Sequence, residues 1–182
     1  MRGLIRFAPS FALFIAALLS VACRSKENEA PQAQAAAAEP DAPVLVSAID
    51  VADPRAKIQL VRGFHDVEAG AWRWTMSKFS VVLRPPTGAA QKGATLQFKF
   101  TIPPVSIHRL KSITLRAAVN GFALPPETYT QSGNFVYSRD VPAGALAGDA
   151  VPVDFTLDKF IPPGSQDARE LGVVAQTVGL IP

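Results

Sequence analysis

ATLQFKFTI, residues 94–102, alternates without a break: Leu96, Phe98, Phe100 and Ile102 fall on one side of an extended chain, Thr95, Gln97, Lys99 and Thr101 on the other. Successive side chains of a strand point to opposite faces, so this spacing of two predicts one buried and one wet face, as in antiparallel sheets. Working outward, Phe79-Val81-Leu83, Ile113-Leu115-Ala117-Val119 and Val151-Val153-Phe155-Leu157 repeat the pattern. Leu171 to Ile181 is apolar on both faces and reads as a central or well-covered strand. Asn120-Gly121, set between apolar runs, marks a hairpin. The pairs Pro85-Pro86, Pro103-Pro104, Pro125-Pro126 and Pro162-Pro163 each close a strand or open a loop, and 16 prolines rule against a helical protein. Val141 to Leu146 suits a single helical turn, and no long amphipathic helix is evident. The expectation is an all-β domain over residues 44–182, an antiparallel β-sandwich with Greek-key or jelly-roll connections.

The chain before that domain reads differently. Arg2 and Arg6 form a basic head, and Phe11 to Leu19 (FALFIAALL) an apolar core, with small residues leading to Cys23. A spanning helix needs about 20 apolar residues. The run is shorter and reads as a signal peptide over 1–22. Leu19-Ser20-Val21-Ala22-Cys23 resembles the lipobox of bacterial lipoproteins, in which the cysteine becomes the first mature residue and carries fatty acyl chains such as palmitate. Ser20 departs from the Leu, Val or Ile of that family. Ser20-Val21-Ala22 also satisfies the small-x-small rule of ordinary signal cleavage. Both routes leave Cys23 at the N-terminus. Acylation accounts for an otherwise unpaired cysteine in an exported protein and supplies a membrane anchor. Residues 23–43 are polar and rich in Ala, Pro, Glu and Gln, with too little apolar surface to offset ordering, and read as a disordered tether. Arg24, not Asp, follows the cysteine. By resemblance to the sorting rule of Gram-negative lipoproteins, that implies the outer membrane within the bacterial cell envelope.

Composition excludes several functions. The net charge of +3 includes both arginines of the signal, and the remaining basic residues never cluster, so nucleic acid is not an expected partner. With Cys23 as the only cysteine, the domain has no disulfide. His65 and His108 stand apart in sequence, and His65-Asp66 with Glu68 falls short of the ligand density of a calcium loop, so neither metal nor cofactor is expected. No Gly-x-Ser-x-Gly elbow or phosphate loop occurs. A Glu68/Glu170 glycosidase pair is a coincidence any sandwich would allow. The chain reads as non-catalytic.

One segment concentrates recognition chemistry. GFHDVEAGAWRWT, residues 63–75, holds both tryptophans, His65, Glu68 and Arg73. Trp72 and Trp74 would share a strand face with Arg73 on the other, and the set Phe79-Val81-Leu83 is out of phase with that face. A turn or bulge near Met76-Ser77-Lys78 is therefore expected, with Asp66 to Gly70 as a loop and Ala71 to Thr75 as a short strand. The binding reading takes Trp72 or Trp74 as a stacking platform for sugar C–H faces, with Glu68, Arg73 and His65 meeting hydroxyls. The alternative places both indoles in the core. Phe64, Glu68, Trp72-Arg73-Trp74 and, before the last strand, Arg169, Leu171 and Gly172 resemble β-sandwich modules of bacterial envelope proteins, some appended to enzymes that handle surface glycans. That resemblance implies the sandwich fold and, more weakly, an association with envelope glycans. Arg169 has two readings, a ligand contact or a strut paired with Glu68 or Asp167. Two partners stay open for the domain, an envelope or extracellular glycan and an envelope protein held on a sheet face or edge.

Overall fold

A computed structural model describes residues 44–182; the expected signal peptide, Cys23 and the expected tether lie outside the described residues. The chain folds as an all-β, curled antiparallel sheet. Its strands are β1 (Ala48–Asp50), β2 (Leu60–Glu68), β3 (Trp72–Leu83), β4 (Ala94–Ile102), β5 (Ile113–Val119), β6 (Phe122–Ala123), β7 (Glu127–Tyr129), β8 (Gly133–Val141), β9 (Val151–Leu157) and β10 (Val174–Ile181). They are bonded in the order β6-β5-β9-β3-β10-β4-β8, with β7 also on β5, β2 on β3 and β1 on β10.

The long strand β3 is the fold line. Its first residues, Arg73 and Trp74, pair with Ala175 and Val174 of β10, and its second half, Lys78 to Leu83, pairs with β9. The sheet doubles over there, so that Phe79 and Phe155 from one layer meet Phe98 from the other at ring-centroid separations of 5.5 and 5.0 Å. The alternating residues of β4 behave as their spacing requires: Leu96, Phe98, Phe100 and Ile102 are buried, while Thr95, Gln97, Lys99 and Thr101 reach solvent. On the far side, Tyr137 of β8 donates its hydroxyl to the Pro125 carbonyl at 2.8 Å and Phe135 packs on Tyr129 of β7, which closes the two layers on one core.

Asn120 and Gly121, both at positive φ (48° and 80°), form the turn between β5 and β6, as the primed hairpin turns require. Ala143–Leu146 is one turn of 3-10 helix. Other local readings need correcting. Asp66, Val67 and Glu68 belong to β2, and the turn is only Ala69-Gly70-Ala71. Ala71 to Thr75 is not a separate short strand, because β3 runs unbroken from Trp72. The irregularity expected near 76–78 is present, as a bulge of β3 in the β2–β3 ladder: between Arg62↔Ser80 and Phe64↔Thr75, four residues of β3 face the single Gly63. Gly63 has φ 75°, and a Cβ there would sit 2.1 Å from the Lys78 carbonyl oxygen, so the chain crosses at contact distance. The last strand begins at Val174, with Leu171 held only by an isolated bridge to Ile161. Short helices α1 (Ala89–Lys92) and α2 (Pro104–Leu110) and the 3-10 turn Pro54–Ile58 carry too few residues to show a helical period.

Candidate functional site

The two tryptophans stand on the outer face of the sheet. Trp74 pairs with Val174, Val174 with Thr101, and Thr101 with Asn134, so one row crosses four strands on the solvent side of β4. Trp72, two residues away, shares that face and pairs directly with Glu68. Both indoles are half-buried. Neither belongs to the hydrophobic core nor to the partly buried apolar side chains packed against it.

Arg73 points the other way, and its fork is committed. Nε donates to the Val51 carbonyl at 2.6 Å and Nη1 to the His65 carbonyl at 2.9 Å. His65 Nε2 in turn donates to the Glu170 carbonyl at 2.7 Å. These two residues, read from sequence as hydroxyl-binding groups, tie backbone segments together.

Arg169 has both of the partners its position suggested. Its Nη1 donates to Glu68 Oε1 at 2.7 Å, while Nε and Nη2 hold the Asp167 carboxylate at 3.0 and 2.9 Å. All three side chains remain over one-third exposed. The Arg169 side chain and then its backbone N–H hold the Asp167 carboxyl down to about 2. Such a depressed carboxylate adds stability that is complete above the ordinary range and lost as pH falls through its folded value. An NMR titration is therefore expected to place the Asp167 midpoint near 2, with the Arg169 Nε resonance shifting in step; a midpoint in the ordinary range would show the pair open in solution.

Sequence reading missed the residues that fasten the loop between β9 and β10, a connection long enough to be a candidate for function. Glu170 Oε1 accepts from the Ser77 N–H at 2.5 Å, which holds the Glu170 carboxyl below its usual range. Buried Thr75 accepts from the Val173 N–H through Oγ1 at 3.1 Å, and its carbonyl accepts from Gly172 at 2.7 Å. A Cβ on Gly172 would lie 2.6 Å from Thr75 Oγ1, so glycine alone permits this approach. The loop thereby carries Arg169 to the rim of the tryptophan face. Among the described residues, no three His, Cys, Asp or Glu side chains converge as a metal centre would require.

A second feature lies around β1. A cleft of about 770 Å³ is lined by Val44, Val46, Ile49 and Ile58, with Asp53, Arg55 and Lys57 beside them. Buried Gln59 forms its base: Oε1 accepts from Val46 N–H at 3.0 Å, and Nε2 donates to the Val46 and Val82 carbonyls at 2.9 and 2.8 Å.

No family model matches the chain, and no curated protein matches it. Among solved structures, the chain aligns with the carbohydrate-binding module CBM36 in complex with calcium and xylotriose, at 8% identity and a TM-score of 0.42, over 74% of this chain and 99% of that one. It also aligns with the CBM36-1 domain of a multidomain xylanase from the hindgut metagenome of Trinervitermes trinervoides, at 6% identity and a TM-score of 0.38, over 69% and 91% of the two chains.

Proposed function

We propose that this chain is a non-catalytic lipoprotein of the bacterial cell envelope, anchored through Cys23 and its tether, whose domain binds a glycan on the outer sheet face. The observation that carries the binding reading is the pair of half-buried indoles standing outside the core beside Glu68. An indole buried for packing alone joins the core. One held at the surface offers a flat apolar face and an N–H, and among the described residues neither indole N–H has a protein acceptor. Glu68 and Arg169 then serve the site by holding the rim, with exposed polar edges turned to the ligand side. Arg73 and His65 act from beneath.

Trp72 and Trp74 are the only tryptophans. Fluorescence of a soluble form beginning at Arg24 therefore reports on this segment alone. The expected result is emission that acrylamide quenches and that one class in a panel of envelope and plant polysaccharides protects. Blue-shifted emission that neither acrylamide nor any glycan alters would discard the platform.

A second reading has its own observation. Val44, Val46 and Ile58 are exposed at 64%, 46% and 44% around the β1 cleft, the kind of apolar patch that suits a protein partner. In that case the domain is a scaffold, and crosslinking from these positions captures an envelope protein while the indoles stay indifferent to glycan.

A further inference from the structure

We infer that the ligand of this face is an extended, uncharged polysaccharide chain that runs along the β10–β4 strands from Trp74 to a trough floored by Gly179. This inference rests on the glycan reading above and specifies its ligand. The rows of the outer face supply the geometry. Beyond the row holding Trp74, Val174 and Thr101, the next rows are Asp50–Thr177–Lys99 and Ala48–Gly179–Gln97. Along regular β4, Thr101 and Gln97 are four residues apart, about 13 Å at the ordinary strand rise. No single sugar can touch both ends of that line, whereas a chain laid along the strands touches both.

The trough is built by what the sequence leaves out. Gly179 faces outward in the middle of a strand, and a Cβ there would meet the Ala48 Cβ at 2.7 Å. Two small residues side by side thus open a hollow of about 280 Å³ among longer neighbours. Glycine inside a strand marks close approach to the backbone, and here the approaching group is Ala48 of β1, so both positions of this row stay small. The hollow is edged by Asp50, Thr177, Lys99 and Gln97.

The chemistry of those edges selects the ligand. One acid and one base face each other across Thr177, so the trough presents no net charge; its other polar groups are a hydroxyl and an amide, and Ile181 adds an apolar wall of the kind a sugar C–H face would meet. Among the described residues, the side-chain hydrogen bonds of this face engage Asp50, Thr95, Thr101 and Gln176 and leave Gln97, Lys99 and Thr177 available. Unspent donors and acceptors without net charge suit a neutral polyhydroxyl chain. A membrane surface or nucleic acid would call for clustered basic residues.

The test compares chain lengths. Disaccharides and hexasaccharides prepared from neutral cellulose, mannan and xylan are titrated calorimetrically into the soluble chain, with alginate fragments as the charged comparison. The preferred hexasaccharide is expected to bind about tenfold more tightly than its disaccharide, as two added hydrogen bonds allow. The double variant Gln97→Ala/Thr177→Ala removes that gain while leaving the disaccharide affinity and the indole quenching unchanged. Ala48→Gln, which fills the trough from an exposed position, does the same. Equal affinity for both lengths, or a length preference that both variants retain, would overturn the extended-chain inference while leaving the tryptophan platform standing. Stronger binding of alginate than of the neutral fragments would overturn the uncharged ligand. A failure of every glycan to bind removes the platform itself, and the inference with it.

Discussion

Phe98→Ala is expected to lower the free energy of unfolding by about 3–5 kcal/mol, the cost of truncating a buried aromatic that its neighbours cannot replace. Phe98 is fully buried, with Phe100, Phe155 and Phe79 at centroid distances of 4.8, 5.0 and 5.5 Å. Phe155 and Phe79 reach it from the opposite layer, so its removal opens a cavity where the doubled sheet closes on itself. With no cysteine between Val44 and Pro182, no disulfide limits the loss. The neighbouring outward substitution Gln97→Ala supplies the contrast and is expected to change stability by about 0.5 kcal/mol or less. Urea denaturation followed by circular dichroism reads both. A loss below about 1.5 kcal/mol for Phe98→Ala, the range of a conservative swap, would mean that the layers do not meet at this ring.

The same strand shows why the fold was readable. A sheet with one dry and one wet face imposes a two-residue period on its sequence, and β4, β5 and β9 each wrote that period in full. β10 lost the period for a physical reason. It lies between β4 on one edge and β3 and β1 on the other, and it carries a bulge between Ala175 and Thr177, so neither face alternates cleanly. β2 was hidden by its register: three shifts and a positive-φ Gly63 interrupt Leu60–Glu68, and the apolar Val61 stands exposed on the outer face beside core-packed Leu60, which blurs the alternation. The short helix α2, opened by Pro104, places Ile107 and Leu110 against the core, a contact too brief to leave a period in seven residues.

Legibility of the candidate site divides along a similar line. The shared face of Trp72 and Trp74 follows from strand alternation, and the Asp167–Arg169 contact from their two-residue spacing. What the sequence could not show is which groups the fold spends on itself. Thr75, Gln59 and Glu170 look like ordinary polar residues. Each is consumed by backbone groups brought from 98, 13 and 93 positions away. Gly172 and Gly179 have no side chain to signal a role, yet close approach excludes a Cβ at both positions.

Arg73 is where spending and binding are most easily confused, and Arg73→Met separates them. On one edge, β10 takes β3 at Val174 and Ala175, then β1 at Thr177 to Gly179, with the Val51 N–H bonded to the Gln176 carbonyl at 2.9 Å between them. Two strands arrive end to end along one neighbour, and carbonyls at their junction need donors from elsewhere. Arg73 supplies one to Val51 at that junction and a second to His65, which the register shift in the β2–β3 ladder leaves out of strand pairing. Hydrogen bonds from a charged donor contribute about 1.5–3 kcal/mol each, and water replaces part of that at a half-buried position. Methionine keeps the length of the side chain without the donors. The variant is therefore expected to lose about 2–3 kcal/mol in urea denaturation while retaining the proposed glycan affinity and the indole quenching of the parent chain. A variant as stable as the parent that no longer binds glycan would instead make Arg73 a ligand contact, and the outer face would cease to be the binding surface, because Arg73 lies on the other side of the sheet from Trp72 and Trp74.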